Sequence, residues 1–250
     1  MELDVLPVGL WQIYRNVFGD DAEIVDCSGQ ILSARSRKSR WELQQFRESA
    51  KIHPLLFGDP LRRLLSQDLS TYELQTYLEA EARSLGHCGI VRLRGLDVET
   101  GIGIAVSGPG GAVPSNSMFP IGGAGPHPWV SAGGTRDLIC PDTPIALDFL
   151  MSTTGYHADC TRMAVKGLFP ERASSIFARL KNLLRGLEEQ LVVGADPSEI
   201  YNSAVEGAAI AGLTDGFMGP SGYQVNFVGH GVGLEVNEWP VIGPRSKERL

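Results

Sequence analysis

Apolar positions change their spacing several times along the chain. Trp41, Leu43, Phe46 and Ala50 follow a helical spacing and predict a helix from there to about Leu56. Ser39 stands just before it with Glu42 three positions on, the pattern in which serine and glutamate cap the first turn reciprocally. Ser70-Thr-Tyr-Glu73 repeats that pattern ahead of Leu74, Leu78, Ala82 and Leu85, so a second helix is predicted there. Two apolar runs, Cys88-Gly-Ile-Val-Arg-Leu93 and Gly103-Ile-Ala-Val-Ser107, then read as strands. Pro144-Ile-Ala-Leu-Asp-Phe-Leu150 is a continuous apolar strand interrupted by one carboxylate. Gly155-Tyr156 makes a turn, and His157-Ala-Asp-Cys-Thr-Arg-Met-Ala-Val165 returns, which together predict a β-hairpin.

Helical spacing resumes from Glu171 to about Leu191 through Ile176, Phe177, Leu180, Leu183, Leu184 and Leu187. Another helix starts at Asp196, with Pro197 suited to the first helical position, and continues through Ile200, Tyr201, Ala204 and Ala208. A strand over residues 224–228 leads into a Gly-rich segment. Upstream, residues 1–35 read as a short helix, a strand over 23–27 and a turn at Ser28-Gly29. The basic run Arg35-Ser-Arg-Lys-Ser-Arg40 reads as a solvated linker, and 107–136 as one long Gly/Pro/Ser-rich loop of the kind that often serves function. Helices followed by strands occur twice in succession without any repeat of residues, which predicts an α+β domain of two related halves.

Composition narrows the classes. With 43% hydrophobic and 20% charged residues, the 250-residue chain can bury a real core. A net charge of −7 argues against nucleic acid or an anionic membrane as partner. Cys27, Cys88, Cys140 and Cys160 form no Cys-x-x-Cys pair, which argues against a structural zinc site and for a reduced, cytoplasmic protein. The N-terminus has no basic stretch followed by a long apolar one, and no run of apolar residues is long enough to span a membrane.

The chemistry concentrates in two places. Side chains alternate along a strand, so a carboxylate in each hairpin arm, Asp148 and Asp159, could project to one face. An Asp in an apolar strand is costly to bury alone. A metal ion would relieve that cost, and so would hydrogen bonds from Arg162 or backbone amides. In Gly229-His230-Gly231-Val-Gly233, an imidazole lies between glycines that let another backbone or a ligand approach closely. On its own, that histidine reads first as a hydrogen-bonded turn residue.

Taken together, Asp148-Phe149, Gly155-Tyr156-x-x-Asp159-x-Thr161-Arg162 and His230-Gly-Val-Gly-Leu-Glu235-Val resemble the motifs of the metallopeptidase family of methionine aminopeptidases, Xaa-Pro aminopeptidases/dipeptidases and creatinases. The resemblance is nearest the Xaa-Pro branch and runs from about Lys38 to Leu250. It implies the α+β pita-bread fold, with residues 1–37 as the remnant of an N-terminal domain and linker. Residues 38–250 would then be a pita-bread domain lacking its C-terminal strands. It further implies Asp148, Asp159 and His230 as metal ligands, with Asp159 bridging two divalent ions (Mn, Co or Zn, Mn favoured). Two Glu ligands would follow beyond Leu250.

The activity implied is a metallo-exopeptidase acting on short peptides, and the chain as given is expected to be hydrolytically inactive. Partners implied are a short peptide substrate, with neither nucleic acid nor membrane, and a homodimer is allowed. Two positions depart from the pattern: Ser115 and Asn237 stand where the family carries histidines. Ser115, Tyr156 and Asn237 are the candidate substrate contacts, while His127 and Asn237 are the candidate catalytic groups. A degenerate, peptide-binding homologue or one with creatinase-like chemistry is the alternative.

Overall fold

The computed structural model describes residues 1–19, 21–95, 100–115, 119–130 and 132–250. Six helices come first: α1 Val8–Phe18, α2 Ser28–Ser36, α3 Arg40–Ala50, α4 Ile52–Leu56, α5 Asp59–Leu65 and α6 Thr71–Ser84. Strand β1 (Gly103–Ser107), a 3-10 turn (Gly108–Ala112) and the hairpin of β2 (Pro144–Met151) and β3 (Ala158–Val165) follow. Helices α7 (Glu171–Glu188) and α8 (Pro197–Ile210) lead to strands β4 (Gly229–Gly231) and β5 (Glu238–Ile242). Among the described residues no helix is long and apolar enough to cross a membrane.

Both serine-led boxes cap helices. The Ser39 hydroxyl accepts from Glu42 N, and the Glu42 carboxylate accepts from Ser39 N. Ser70 and Glu73 do the same for α6. Asp196 caps α8 by accepting from Ser198 N, with Pro197 inside the first turn. The helix expected from Trp41 to Leu56 is divided into α3 and α4 about Lys51, which serves as the C-cap of one and the N-cap of the other.

Strands β1, β2 and β3 form an antiparallel sheet in that order. Alternation sends Ile145, Leu147, Phe149 and Met151 to one face, where all four are fully excluded from solvent. They meet Leu56 of α4 and Leu74, Leu78 and Ala82 of α6, all equally buried. Each large side chain in this layer contributes about 1.5–3 kcal/mol by its burial. Two buried imidazoles grip the end of β2 from the helical side: His53 Nε2 donates to Phe149 O (2.8 Å) and His87 Nε2 to Leu150 O (2.9 Å). The opposite face carries Asp148, and this is where the site forms.

Five expectations fail. Residues 23–27 form no strand, and Ser28-Gly29 opens α2 instead of a turn. Asp26 Oδ1 accepts from Ser28 N (2.9 Å), which turns the chain into the helix. Residues 88–93 join no ladder. They are held by single bonds, Cys88 N to Ser152 O and Arg92 N to His157 Nε2, and Gly89 bends the run with a φ of +86°. Pairing after α8 begins at Gly229, not within 224–228. Finally, the basic run from Arg35 is no solvated linker: Arg35 and Lys38 both reach the buried Glu238. Of the loop expected over 107–136, residues 116–118 and 131 lie outside the described residues.

Candidate functional site

The hairpin register decides how the two aspartates meet. Asp148 lies opposite Thr161, and Asp159 lies opposite Leu150, so the two acids are diagonal neighbours on one face. The Thr161 hydroxyl donates to Asp148 Oδ1 at 2.7 Å and fixes that carboxylate. Burial and the facing Asp148 carboxylate raise the Asp159 carboxyl to about 7. Since 28% of the Asp159 side chain stays exposed, the like charge is the firmer of the two causes.

His230 comes to this pair from the other strand pair. Its Nε2 lies 3.9 Å from Asp159 Oδ2. Its Nδ1 donates to Gly231 O at 2.9 Å, which leaves the Nε2 lone pair free on the side of the carboxylate. The Phe227 ring stands edge-on to the imidazole, with centroids 5.7 Å apart.

His157 ties the two strand pairs together. Its backbone N–H and its Nδ1 both donate to Gly233 O, at 2.8 and 3.1 Å, while Nε2 accepts from Arg92 N at 3.2 Å. Val236 N in turn donates to Arg92 O at 2.9 Å. The hairpin, the extended segment at Arg92 and the Gly-rich loop are thus locked in one arrangement. Burial lowers the His157 pKa and keeps this imidazole neutral.

The other candidates lie apart from this group. Arg162 does not pair with Asp159. It is the neighbour of Thr161 on β3, alternation turns it to the other face, and its Nη1 donates to Thr161 O. Tyr156 is buried against α3, edge-on to Trp41 and Phe46, with its hydroxyl donating to Glu42. His127 lies exposed in a turn, where its Nδ1 accepts from Trp129 N. Asn237 is half-buried in the loop between Glu235 and Glu238, and Ser115 is half-buried with its backbone against Gly122. Among the described residues neither His127 nor Asn237 is hydrogen-bonded to Asp148, Asp159 or His230. A concavity of about 650 Å³ opens elsewhere, beside α2, lined in part by Ser33, Arg37 and Trp239.

Two contributors visible in the sequence were given no role of their own there. Thr161 had a usable signal, because it lies two residues from Asp159 and so on the same face. His157 had none, since a histidine beside a metal-like motif reads as a ligand as readily as a structural group.

The chain matches the profile of metallopeptidase family M24 over residues 44–250. The chain belongs to family M24. Solved structures agree on the fold. An X-Pro aminopeptidase from Thermotoga maritima is 19% identical with a TM-score of 0.75, covering 98% of this chain and 60% of its own. The Xaa-Pro dipeptidase from Bacillus anthracis is 22% identical with a TM-score of 0.71, covering 100% and 60%. A prolidase from Pyrococcus furiosus is 18% identical with a TM-score of 0.71, covering 98% and 62%. The chain therefore spans about 60% of the length of these M24-like structures. No match is found among the curated proteins. The pita-bread α+β architecture is that of the M24 fold, and the family implies divalent metal cofactors.

The donor set fits such a cation in chemistry. Two carboxylates, one of them with its pKa raised by burial and by the other's charge, are relieved by a positive ion, and the neutral imidazole beside them presents a lone pair. Among the described residues, however, no group of three or more His, Cys, Asp or Glu closes around one point.

Proposed function

We propose that the protein containing this chain is a metal-dependent exopeptidase of the Xaa-Pro type, hydrolysing the N-terminal peptide bond of short peptides. One observation carries the reading: Asp148 and Asp159 share a face with their charges in conflict, and the free Nε2 of His230 stands 3.9 Å from Asp159. In this reading Asp148, Asp159 and His230 would hold divalent ions. Further oxygen donors would complete the shell. A donor set this rich in oxygen favours Mn over softer ions. The chemistry such ions supply when bound is a lowered water pKa and a polarised carbonyl oxygen. The chain's own contribution is placement: Thr161 holds Asp148, Gly231 O fixes the His230 tautomer, and His157 holds the two strand pairs together.

The test is hydrolysis of a panel of Xaa-Pro and Xaa-Ala dipeptides by the full-length protein, with Mn²⁺ and after chelation. Turnover should vanish with chelator, return with Mn²⁺, and fall to background in Asp148→Asn and Asp159→Asn. Turnover indifferent to chelator would end this reading. A second reading, a peptide binder without turnover, is favoured by Asn237, because an amide there can donate a hydrogen bond but cannot shuttle a proton. Peptide binding by calorimetry with no hydrolysis at any metal concentration would select it.

A further inference from the structure

The match to the family profile begins at residue 44, yet the Gly-rich loop carrying His230 is held by residues before that point. Glu238 opens β5 and is 2% exposed. Its carboxylate accepts from Arg35 Nη2, from Lys38 Nζ at 3.0 Å and from Glu235 N at 3.2 Å. Glu235, also buried, lies 3.0 Å from Arg35 Nη2 and 3.7 Å from Arg94 Nη1. Arg94 in turn binds Glu2 and Asp4, so the first residues of the chain join the same network. Burial alone would raise the Glu238 carboxyl, but Arg35 and Lys38 outweigh it and hold it below the ordinary range.

Glu238 is connected to the imidazole through one residue. It pairs across the ladder with Gly231, and the register shift between His230 and Gly231 turns the Gly231 carbonyl to the imidazole. A Cβ on Gly231 would lie 2.4 Å from Trp239 O, so the two strands approach as closely as backbone permits. That carbonyl is the acceptor of His230 Nδ1–H. Whatever fixes Glu238 therefore fixes the acceptor that selects the tautomer with Nε2 unprotonated.

We infer that Arg35 and Lys38, acting through Glu238 and Gly231, are positioning residues for His230, so that the α2 segment is a working part of the metal site. The inference rests on the reading of His230 as a metal ligand. Groups that orient a ligating histidine typically change metal affinity about 10–100-fold when removed.

The experiment uses the full-length protein with ¹⁵N-labelled histidine, after chelation and at fixed pH. Nitrogen shifts report the His230 tautomer, and His157 serves as the internal control for an intact loop. Mn²⁺ affinity is measured in parallel by calorimetry. Arg35→Met should convert His230 from its Nδ1–H form to a mixture, leave the His157 tautomer unchanged, and weaken Mn²⁺ binding about 10–100-fold. Arg35→Lys, which keeps the charge at Glu238, should restore most of that loss. An unchanged His230 tautomer and affinity in Arg35→Met would overturn the inference. So would loss of cooperative folding in both variants, which would make the network structural only. If His230→Ala binds Mn²⁺ as tightly as the parent, the ligand reading itself fails, and that outcome is distinct from the others.

Discussion

Asp159 shows how far one residue's environment departs from its type. In the unfolded chain an aspartate loses its proton near pH 4. In the folded chain burial and Asp148 delay that loss to about pH 7. Between these values the folded state binds the proton and the unfolded state does not, so this group costs stability progressively as pH rises from about 4 to about 7. The chelated protein should therefore gain stability from Asp159→Asn at pH 8 and little at pH 4, read as the shift in melting temperature at each pH. An equal shift at both would contradict the repulsion. The same proton must leave when a cation binds, so Mn²⁺ binding should release protons at pH 6.5, measured by calorimetry in buffers of different ionisation enthalpy. Alternation along a strand was enough to bring Asp148 and Asp159 to one face. Arg162 was misplaced because a guanidinium near a carboxylate suggests a pair, although its position on β3 sends it to the other face.

At the scale of elements, hydrophobic period located what local chemistry encodes and missed what distant contacts decide. Helices α3, α6 and α8 were legible because their caps lie within three residues of sequence. Helix α2 was not, because its start depends on Asp26 and on the approach of residue 3, whose N–H also donates to Asp26. Helix α7 formed as its spacing required, yet none of its residues is buried. Its stripe leaves Phe177 and Leu184 more than half exposed, while Leu183 is the side chain that reaches α8 at Gly207. Beside the Tyr156 packing, one buried hydroxyl bonds α3 to the backbone of the hairpin turn. Ser49 Oγ donates to Tyr156 O at 2.7 Å and accepts from Thr153 N at 3.1 Å. Ser49→Ala should cost about 1–3 kcal/mol in urea unfolding, because it leaves the buried Tyr156 carbonyl and the partly buried Thr153 N–H without their partner. A cost below about 0.5 kcal/mol, the range of an ordinary surface change, would mean that water replaces the hydroxyl.

At the scale of the whole molecule, three of the five histidines act as neutral crosslinks and not as ligands. His53 and His87 join the helical layer to β2, and His157 joins β3 to the Gly-rich loop. Burial lowers the pKa of all three. Below about pH 6.5 the unfolded chain takes up protons that these folded imidazoles refuse, so the stability they confer is present above that pH and is lost as pH falls. The melting temperature should drop between pH 6.5 and 5, more steeply in Asp159→Asn, which lacks the opposing carboxyl. A flat profile would show these imidazoles to be exposed to solvent protons. None of this was visible in sequence, where a histidine's spacing does not reveal whether a carbonyl awaits it across the fold.

A Cβ built on Gly233 would lie 2.2 Å from the Glu238 carboxylate. The volume that a side chain at 233 would fill is already taken by the side chain at 238. The two positions are therefore sterically coupled. Gly233→Ala should be severe in the parent but far milder in a Glu238→Ala background, where the space is vacant. A double-mutant cycle across that pair should return a coupling of about 0.5–3 kcal/mol, the range for residues in direct contact.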